Sequence, residues 1–404
     1  MNRRSFVSLC ALPAICPNGF VRQRKGALPP IRPPSEDFQR QIPRLMEIAG
    51  VPGIGLALVQ GDEIAWQYRH GFADRRRSLP VGDQTLWAAA SLGKPVFAFA
   101  ALHLVDEGLL DLDRPLKSYV PDHFPDDPRA DRITARHALS HSSGLRNWYR
   151  NAGDPLELAF EPGSAFSYSG EGYYYLQRAI EHITGHGLDR FMRDRLFTPL
   201  GMDSSAYGWR PDWAERLVAG HGSRSAYDVF WKTLAEKLQR DADANNRMLA
   251  DYTNEDVREA MARVAPESST LPQSIIPNAA YSLVTTPVDF ATYLVALLGG
   301  DVSGVGLKPE TRQLAMTPAV HINSALGWGL GLGTEASETE DAAAAGDHYL
   351  WQWGDNGSWK NFVLAHPASR TGIVIFTNGD TGLNLCRRII RASTGVDHAA
   401  FLWL

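Results

Sequence analysis

Apolar residues Phe38, Ile42, Leu45, Met46 and Ala49 recur at helical spacing behind a Ser35-Glu36-Asp37 start. A serine that caps free N–H groups and acidic residues beside the positive helix end predict a helix beginning at Ser35. The pattern then changes. GIGLALVQGDEIAWQYRHG has two short apolar runs broken at Gly61-Asp62, and it predicts a hairpin with strands at 53–60 and 63–69. Strand-like runs return toward the other end, in ALGWGLGLG, NFVLAHP and TGIVIFTN, each with Gly or Pro boundaries. LNLCRRIIRAST follows with helical spacing.

The long middle is helical in pattern, from Ser91 to Glu107, Ile133 to Leu139, Gly172 to Ile183, Leu188 to Leu196 and Pro287 to Leu298. Strands at both ends with helices between them predict an α+β fold. One antiparallel sheet is formed by the N- and C-terminal segments and flanked by helices, with an inserted, mainly helical domain. On this reading residues 35–404 are one domain, with a sheet lobe at about 35–75 and 320–404 and a helical lobe at about 76–319. Residues 209–276 are highly charged and helix-prone, either an added cover near the mouth of a cleft or a solvated surface. No internal repeat is visible.

Composition narrows function more than fold. The 404 residues are 44% hydrophobic and 21% charged, ordinary for a soluble globular chain. A net charge of -5 gives no reason to expect a nucleic-acid partner. No apolar stretch reaches the ~18 residues of an integral membrane span. Three cysteines, Cys10, Cys16 and Cys386, make no disulfide framework, and Cys386 reads as a packed helix residue. No Cys/His cluster has zinc spacing and no HExxH is present, so neither a metal nor a cofactor is expected. MNRRSFVSLCALPAIC, with Arg3-Arg4 before an apolar run, resembles a twin-arginine export signal. Pro29, Pro30, Pro33 and Pro34 then make a stiff linker. Residues 1–34 are therefore read as leader and linker outside the fold, and the chain as exported to the periplasm or beyond, with the cytoplasm as the alternative.

The chemistry concentrates at SLGKPV, residues 91–96. Ser91 and Lys94 lie one helical turn apart in an apolar setting, and theirs is the only Ser-x-x-Lys spacing in the chain. A serine hydroxyl needs a base, and a lysine serves as one only when burial or nearby charge lowers its pKa. About one such spacing is expected by chance, so the pair alone is weak. No GxSxG elbow offers a histidine-based alternative. Tyr168, in PGSAFSYSGEGYYYLQ just before a helix, is placed to share a proton with Lys94 and pass it to a leaving group. WQWGDNGSWKNFVLAHP ends in a strand with a glycine-rich entry, suited to setting a backbone N–H beside an oxyanion.

AASLGKPVFAFAALHLVDEGLLDLDRPL, ITARHALSHSSGL, PGSAFSYSGEGYYYLQ, FTPLGM, NAAYSLVTTPVDFATYL and ALGWGLGLG occur in that order. Together they resemble the serine β-lactamases of class C and their relatives, the D-amino-acid peptidases, penicillin-binding-protein-like hydrolases and family VIII carboxylesterases. The resemblance covers about residues 36–385. It implies a sheet domain plus a helical domain with the site between them. It also implies that Ser91 is the acylated nucleophile, that Lys94 is its partner, and that Tyr168 is the tyrosine of a Tyr-x-Asn element. The third position of that element is Gly170 here, so the usual asparagine amide is missing. Glu171 beside it could fill that gap, but the reading preferred is a carboxylate at a solvent-exposed helix start. Gln352, Trp353 and Gly354 align with a Lys-Thr-Gly or His-x-Gly element and would bind substrate, but Gln352 brings no charge. The backbone N–H groups of Ser91 and Asp355 would form the oxyanion site. His137 and His141 match a structural segment of the family.

A serine hydrolase acting through an acyl-enzyme on Ser91 is the resulting expectation. Its partner would be a small-molecule ester or amide. Ester hydrolysis leads, with weak β-lactam or amide hydrolysis as variants, because a β-lactam or peptide carboxylate is best held by a cation that Gln352 does not supply. Trp351, Trp353 and Trp359 could wall the site, with core packing expected for two of the three. The alternative is a non-catalytic ligand- or peptidoglycan-binding protein that retains the cleft.

Overall fold

The computed structural model describes residues 28–120, 127–149, 151, 154, 157–222, 225–268, 271–300, 302, 304–336 and 347–404, with the backbone alone for 225–231. From the N-terminal part come β1 (Gly53–Gln60), β2 (Glu63–Asp74) and the short β3 (Leu79–Pro80). Two short strands, β4 (Trp87–Ala88) and β5 (Val284–Thr285), pair with each other apart from the main sheet. From the C-terminal part come β6 (Val320–His321), β7 (Leu326–Trp328), β8 (Gly333–Ala336), β9 (His348–Asn356), β10 (Trp359–His366) and β11 (Thr371–Thr377). Nine of these form one sheet in the order β3-β2-β1-β11-β10-β9-β8-β7-β6. The two ends of the chain meet where β1 pairs antiparallel with β11, Leu56 opposite Ile375.

Both faces of the sheet are covered, which is why β1 reads as an almost unbroken apolar run and is buried along all but its last residue. Ile54, Leu56, Leu58, Phe362, Leu364, Ile373 and Ile375 pack toward helices Glu36–Ala49 and Gly382–Thr394, through Ile42, Met46, Ile389 and Ile390. Ala57, Val59, Val363, Val374 and Phe376 face the other way, toward helix Pro287–Leu297 and the mainly helical middle of the chain. Alternation along β9 sends Tyr349 and Trp351 to the first face and Leu350 to the second. Gln352, two residues beyond Leu350, points the same way as Leu350, toward the helices that carry the serine.

The hairpin turn falls at Gly61-Asp62, and β2 continues to Asp74. ALGWGLGLG is two strand ends, β7 and the start of β8, separated by a turn at 329–332. β9 is a full nine-residue strand where the sequence suggested only a glycine-rich entry. Its aromatic residues are half of an alternation that Gly354 and Asp355 interrupt. The helix from Leu188 ends at Met192 and continues as a π-turn, Arg193–Phe197. Residues 209–276 hold two longer helices, Ser225–Ala244 and Asn254–Val264.

The expectation that everything before Ser35 lies outside the fold is corrected for 28–34. Ile31 is fully buried, its N–H donates to Thr371 Oγ1 at 2.9 Å, and Arg32 N–H reaches Ser393 O at 3.0 Å. Prolines remove backbone donors but leave Ile31 free to fill the edge of the core. The arginine pair and apolar run of the expected leader lie outside the described residues. Among the described residues no helix is long and apolar enough to cross a membrane. Cys386 is buried on helix Gly382–Thr394.

Candidate active site

Ser91 sits in a 3-10 turn, Ala90–Leu92, that leads directly into helix Gly93–Asp106. That helix is buried on nearly every side, as its apolar composition requires. Pro95 lies in its first turn, where a missing N–H costs least. Ala90, just before the serine, holds a left-handed φ of 53°. Such a conformation costs a non-glycine residue about 1–2 kcal/mol and must be held in place. The holding bonds are present. Ala89 N–H donates to Leu283 O at 2.8 Å, and Asn361 Nδ2 donates to Ala88 O at 2.9 Å and Ala89 O at 3.2 Å.

Lys94 Nζ lies 3.0 Å from Ser91 Oγ and donates to Ala280 O at 2.7 Å. Its side chain is buried, and desolvation drives its pKa well below the ordinary lysine range. A free amine has two hydrogens and one lone pair. One hydrogen is engaged by Ala280, so the lone pair can turn to the Ser91 hydroxyl. The ring of Tyr168 lies beside it, with Nζ 4.7 Å from the ring centre.

Tyr168 precedes helix Gly170–Thr184, which Ser169 caps through Gly172 N–H at 3.0 Å. Its hydroxyl accepts a hydrogen bond from Gln352, and the Ser91 side chain is its other polar neighbour. Burial raises the Tyr168 pKa despite these polar neighbours, so the phenol keeps its proton. Gln352 Nε2 donates to the phenolic oxygen at 2.9 Å, and Trp353 O at 3.1 Å and Ser91 O at 3.3 Å fix the amide's orientation. Gln352, expected to line the substrate site, is fully buried and turned to Tyr168.

Gly354 allows this approach. A Cβ there would lie 2.5 Å from Ala89 O, so only glycine lets β9 run this close to the serine turn. Asp355 follows at the strand end with an exposed side chain, ion-paired to Lys360 Nζ at 2.5 Å. Trp353 is half-buried with its ring centre 4.6 Å from that of Tyr168. Trp351 and Trp359 are core residues, 0% and 2% exposed, so they do not wall the site.

His137 and His141 separate. His137 closes a capping box with Thr134 at the start of helix Ala135–Leu139. His141 is fully buried, its ring centre 4.2 Å from that of Tyr168, and its Nδ1 accepts the Ser169 N–H at 3.0 Å. Burial, then the nearby Lys94 charge, depresses its pKa far below the ordinary range. It is a neutral prop beneath Tyr168. Glu171 is corrected as well, since it is 2% exposed rather than solvated. Its Oε1 accepts Tyr149 N–H at 3.0 Å, and burial pushes its pKa up to about 8. Sequence reasoning missed Ala280, Asn361 and Trp148 as parts of this neighbourhood. Spacing alone does not mark their contacts, because only folding brings Ala280 to Lys94, Asn361 to the serine turn and Trp148 to Gly170. Among the described residues no group of His, Cys, Asp or Glu could hold a metal ion.

A helical body against an antiparallel sheet, with a serine and a buried lysine at their junction, defines the class of fold. The family model described as Beta-lactamase matches residues 38–392, and the chain belongs to that family. The chain is similar to Esterase EstB of Burkholderia gladioli, 31% identical over 169 residues, 35% of this chain and 43% of EstB. It is similar to the lovastatin esterase of Penicillium rubens, 34% identical over 167 residues, 32% of this chain and 42% of that one. Penicillin-binding protein 4 of Amycolatopsis lactamdurans is 32% identical over 171 residues, 38% of this chain and 44% of that protein. The chain thus spans under half the length of these curated relatives. A solved class C beta-lactamase superposes with a TM-score of 0.65 at 18% identity, covering 87% of this chain and 94% of that one, a likeness of fold.

Proposed function

We propose that this chain is a serine hydrolase that forms an acyl-enzyme on Ser91 and acts chiefly on esters. The observation that carries the reading is the buried Lys94 amine 3.0 Å from Ser91 Oγ, with no acidic partner among its hydrogen bonds. Lys94 takes the Ser91 proton as the serine oxygen attacks the ester carbonyl. Tyr168, protonated and next to Ser91, gives its proton to the departing alcohol oxygen as the ester C–O bond breaks. The Lys94 ammonium then returns a proton to Tyr168. Gln352 acts through Tyr168, since its N–H supports negative charge on the phenolic oxygen in passing. The backbone N–H groups of Ser91 and Asp355 are assigned to the oxyanion. Water then attacks the acyl-serine with the same groups returning the proton to Ser91, and the acid is released.

Ester preference rests on charge. Gln352 is neutral and turned inward, and Lys360 is tied to Asp355. Arg146, on the segment beside the helix start, faces Asp154 at 3.9 Å. The esterases among the relatives are in keeping with this reading. Parallel kinetics on p-nitrophenyl butyrate and a chromogenic cephalosporin test it. The ester should have the higher kcat/KM, and a clear preference for the cephalosporin would overturn the ester assignment.

A further inference from the structure

Gly170 stands two residues beyond Tyr168, and the space a side chain would take there is filled. A Cβ on residue 170 would lie 2.2 Å from Trp148 Cζ2 and 2.5 Å from Cε2. The indole occupies the space that a side chain at residue 170 would need. Four hydrogen bonds fasten the segment that carries it to the helix start. Ser169 Oγ donates to Arg146 O at 2.9 Å, and Gly170 N–H to Asn147 Oδ1 at 2.8 Å. Glu171 N–H donates to Asn147 O at 3.0 Å, and Tyr149 N–H to Glu171 Oε1 at 3.0 Å. Trp148 is half-buried and meets Tyr281 edge-on, ring centres 5.9 Å apart. Tyr281 follows Ala280, whose carbonyl holds Lys94. Asn356, next to Asp355, donates to Tyr281 O at 3.1 Å. The indole therefore belongs to a wall that adjoins the Lys94 end of the site and the strand end on the opposite rim.

From this we infer that Trp148 is a specificity-determining residue that selects esters with a plain hydrocarbon acyl group over acylamino-substituted ones. The inference rests on the hydrolase reading above and names its substrate class. An acylamino group brought against an indole face loses its hydration and gains no partner there, whereas a hydrocarbon chain gains burial. Moving the indole aside would strain the hydrogen bonds that tie its segment to the helix start. A side chain at residue 170 able to pair with an amide is excluded while Trp148 holds its position.

The test compares p-nitrophenyl butyrate with p-nitrophenyl N-acetylglycinate on the full chain. Wild type should favour the butyrate in kcat/KM by about tenfold or more. Trp148→Ala should cut that ratio at least about fivefold, and Trp148→Ala with Gly170→Asn should lower it further. Trp148→Phe, which keeps an aromatic wall and is the safeguard should the alanine variant not fold, should hold a ratio between the two. An active protein whose ratio stays constant within about twofold across the folded variants overturns the inference and leaves the hydrolase reading standing. A wild type that hydrolyses neither ester and takes no fluorophosphonate on Ser91 overturns both.

Discussion

Gln352 Nε2 donates to the phenolic oxygen of Tyr168 at 2.9 Å, although the two residues are 184 positions apart in the chain. The strand β9 and the start of helix Gly170–Thr184 are thereby joined at the atom proposed to protonate the leaving group. Replacing Gln352 by Met keeps length and apolar volume and removes the donor. A hydrogen bond to a developing charge is worth about 1.5–3 kcal/mol, so kcat should fall about 10–100-fold. KM for p-nitrophenyl butyrate should change little, because the bond strengthens as the phenol gives up its proton. A folded Gln352→Met protein with unchanged kcat would remove Gln352 from the mechanism.

The two proton carriers are displaced in opposite directions, and this sets the pH profile. In the proposed mechanism Lys94 acts as the free amine, and burial lowers its pKa well below 10.5. Activity should therefore be lost as pH falls through that lowered value. The same proposal uses Tyr168 as the protonated phenol, and burial raises its pKa above 10.0. No alkaline loss from Tyr168 is expected below about pH 10. The kcat/KM profile should thus be level above the lowered Lys94 pKa and up to about pH 10, within the limits of folded protein. A rate that climbs about tenfold per pH unit up to pH ~10 would mean that Lys94 titrates as an ordinary lysine.

Glu171 gives a stability prediction of the opposite kind from an ion-paired carboxylate. Its pKa rises from 4.5 to about 8, with burial the first cause. The native state holds the proton more tightly than the unfolded chain. Its favourable contribution is complete below about pH 4.5 and is lost as pH rises to about 8. Glu171→Gln retains an oxygen for Tyr149 N–H and removes the ionisation. The variant should gain about 1–3 kcal/mol on wild type between pH ~5 and ~9. Thermal or urea unfolding at both pH values measures this, and equal pH dependence in the two proteins would refute it.

The sheet was legible in outline because β1, β10 and β11 are covered on both faces, which concentrates apolar residues in short runs between glycines and prolines. β9 was not, because it turns Gln352 and Gly354 to the site and ends in Asp355-Asn356, which breaks the apolar alternation. Ser91, Lys94 and Tyr168 could be picked out by local spacing and resemblance. Their buried supports could not. His141 props Tyr168 from 27 positions upstream, Ala280 binds Lys94 from 186 positions away, and Trp148 fills the space above Gly170. Glu171 was misread for the same reason. A carboxylate at a helix start is usually solvated, and only the folded 146–149 segment reveals that this one is covered.

The nucleophile itself is the most direct test. Intact-mass measurement after treatment with a fluorophosphonate should show one adduct on the wild-type chain, located at Ser91 by peptide mapping. Ser91→Ala should take no adduct and should lose p-nitrophenyl butyrate turnover by several orders of magnitude, at a stability cost of only about 1 kcal/mol for one half-buried hydroxyl. An unlabelled wild type, or a folded Ser91→Ala protein that hydrolyses the ester at the wild-type rate, would contradict an acyl-enzyme on Ser91.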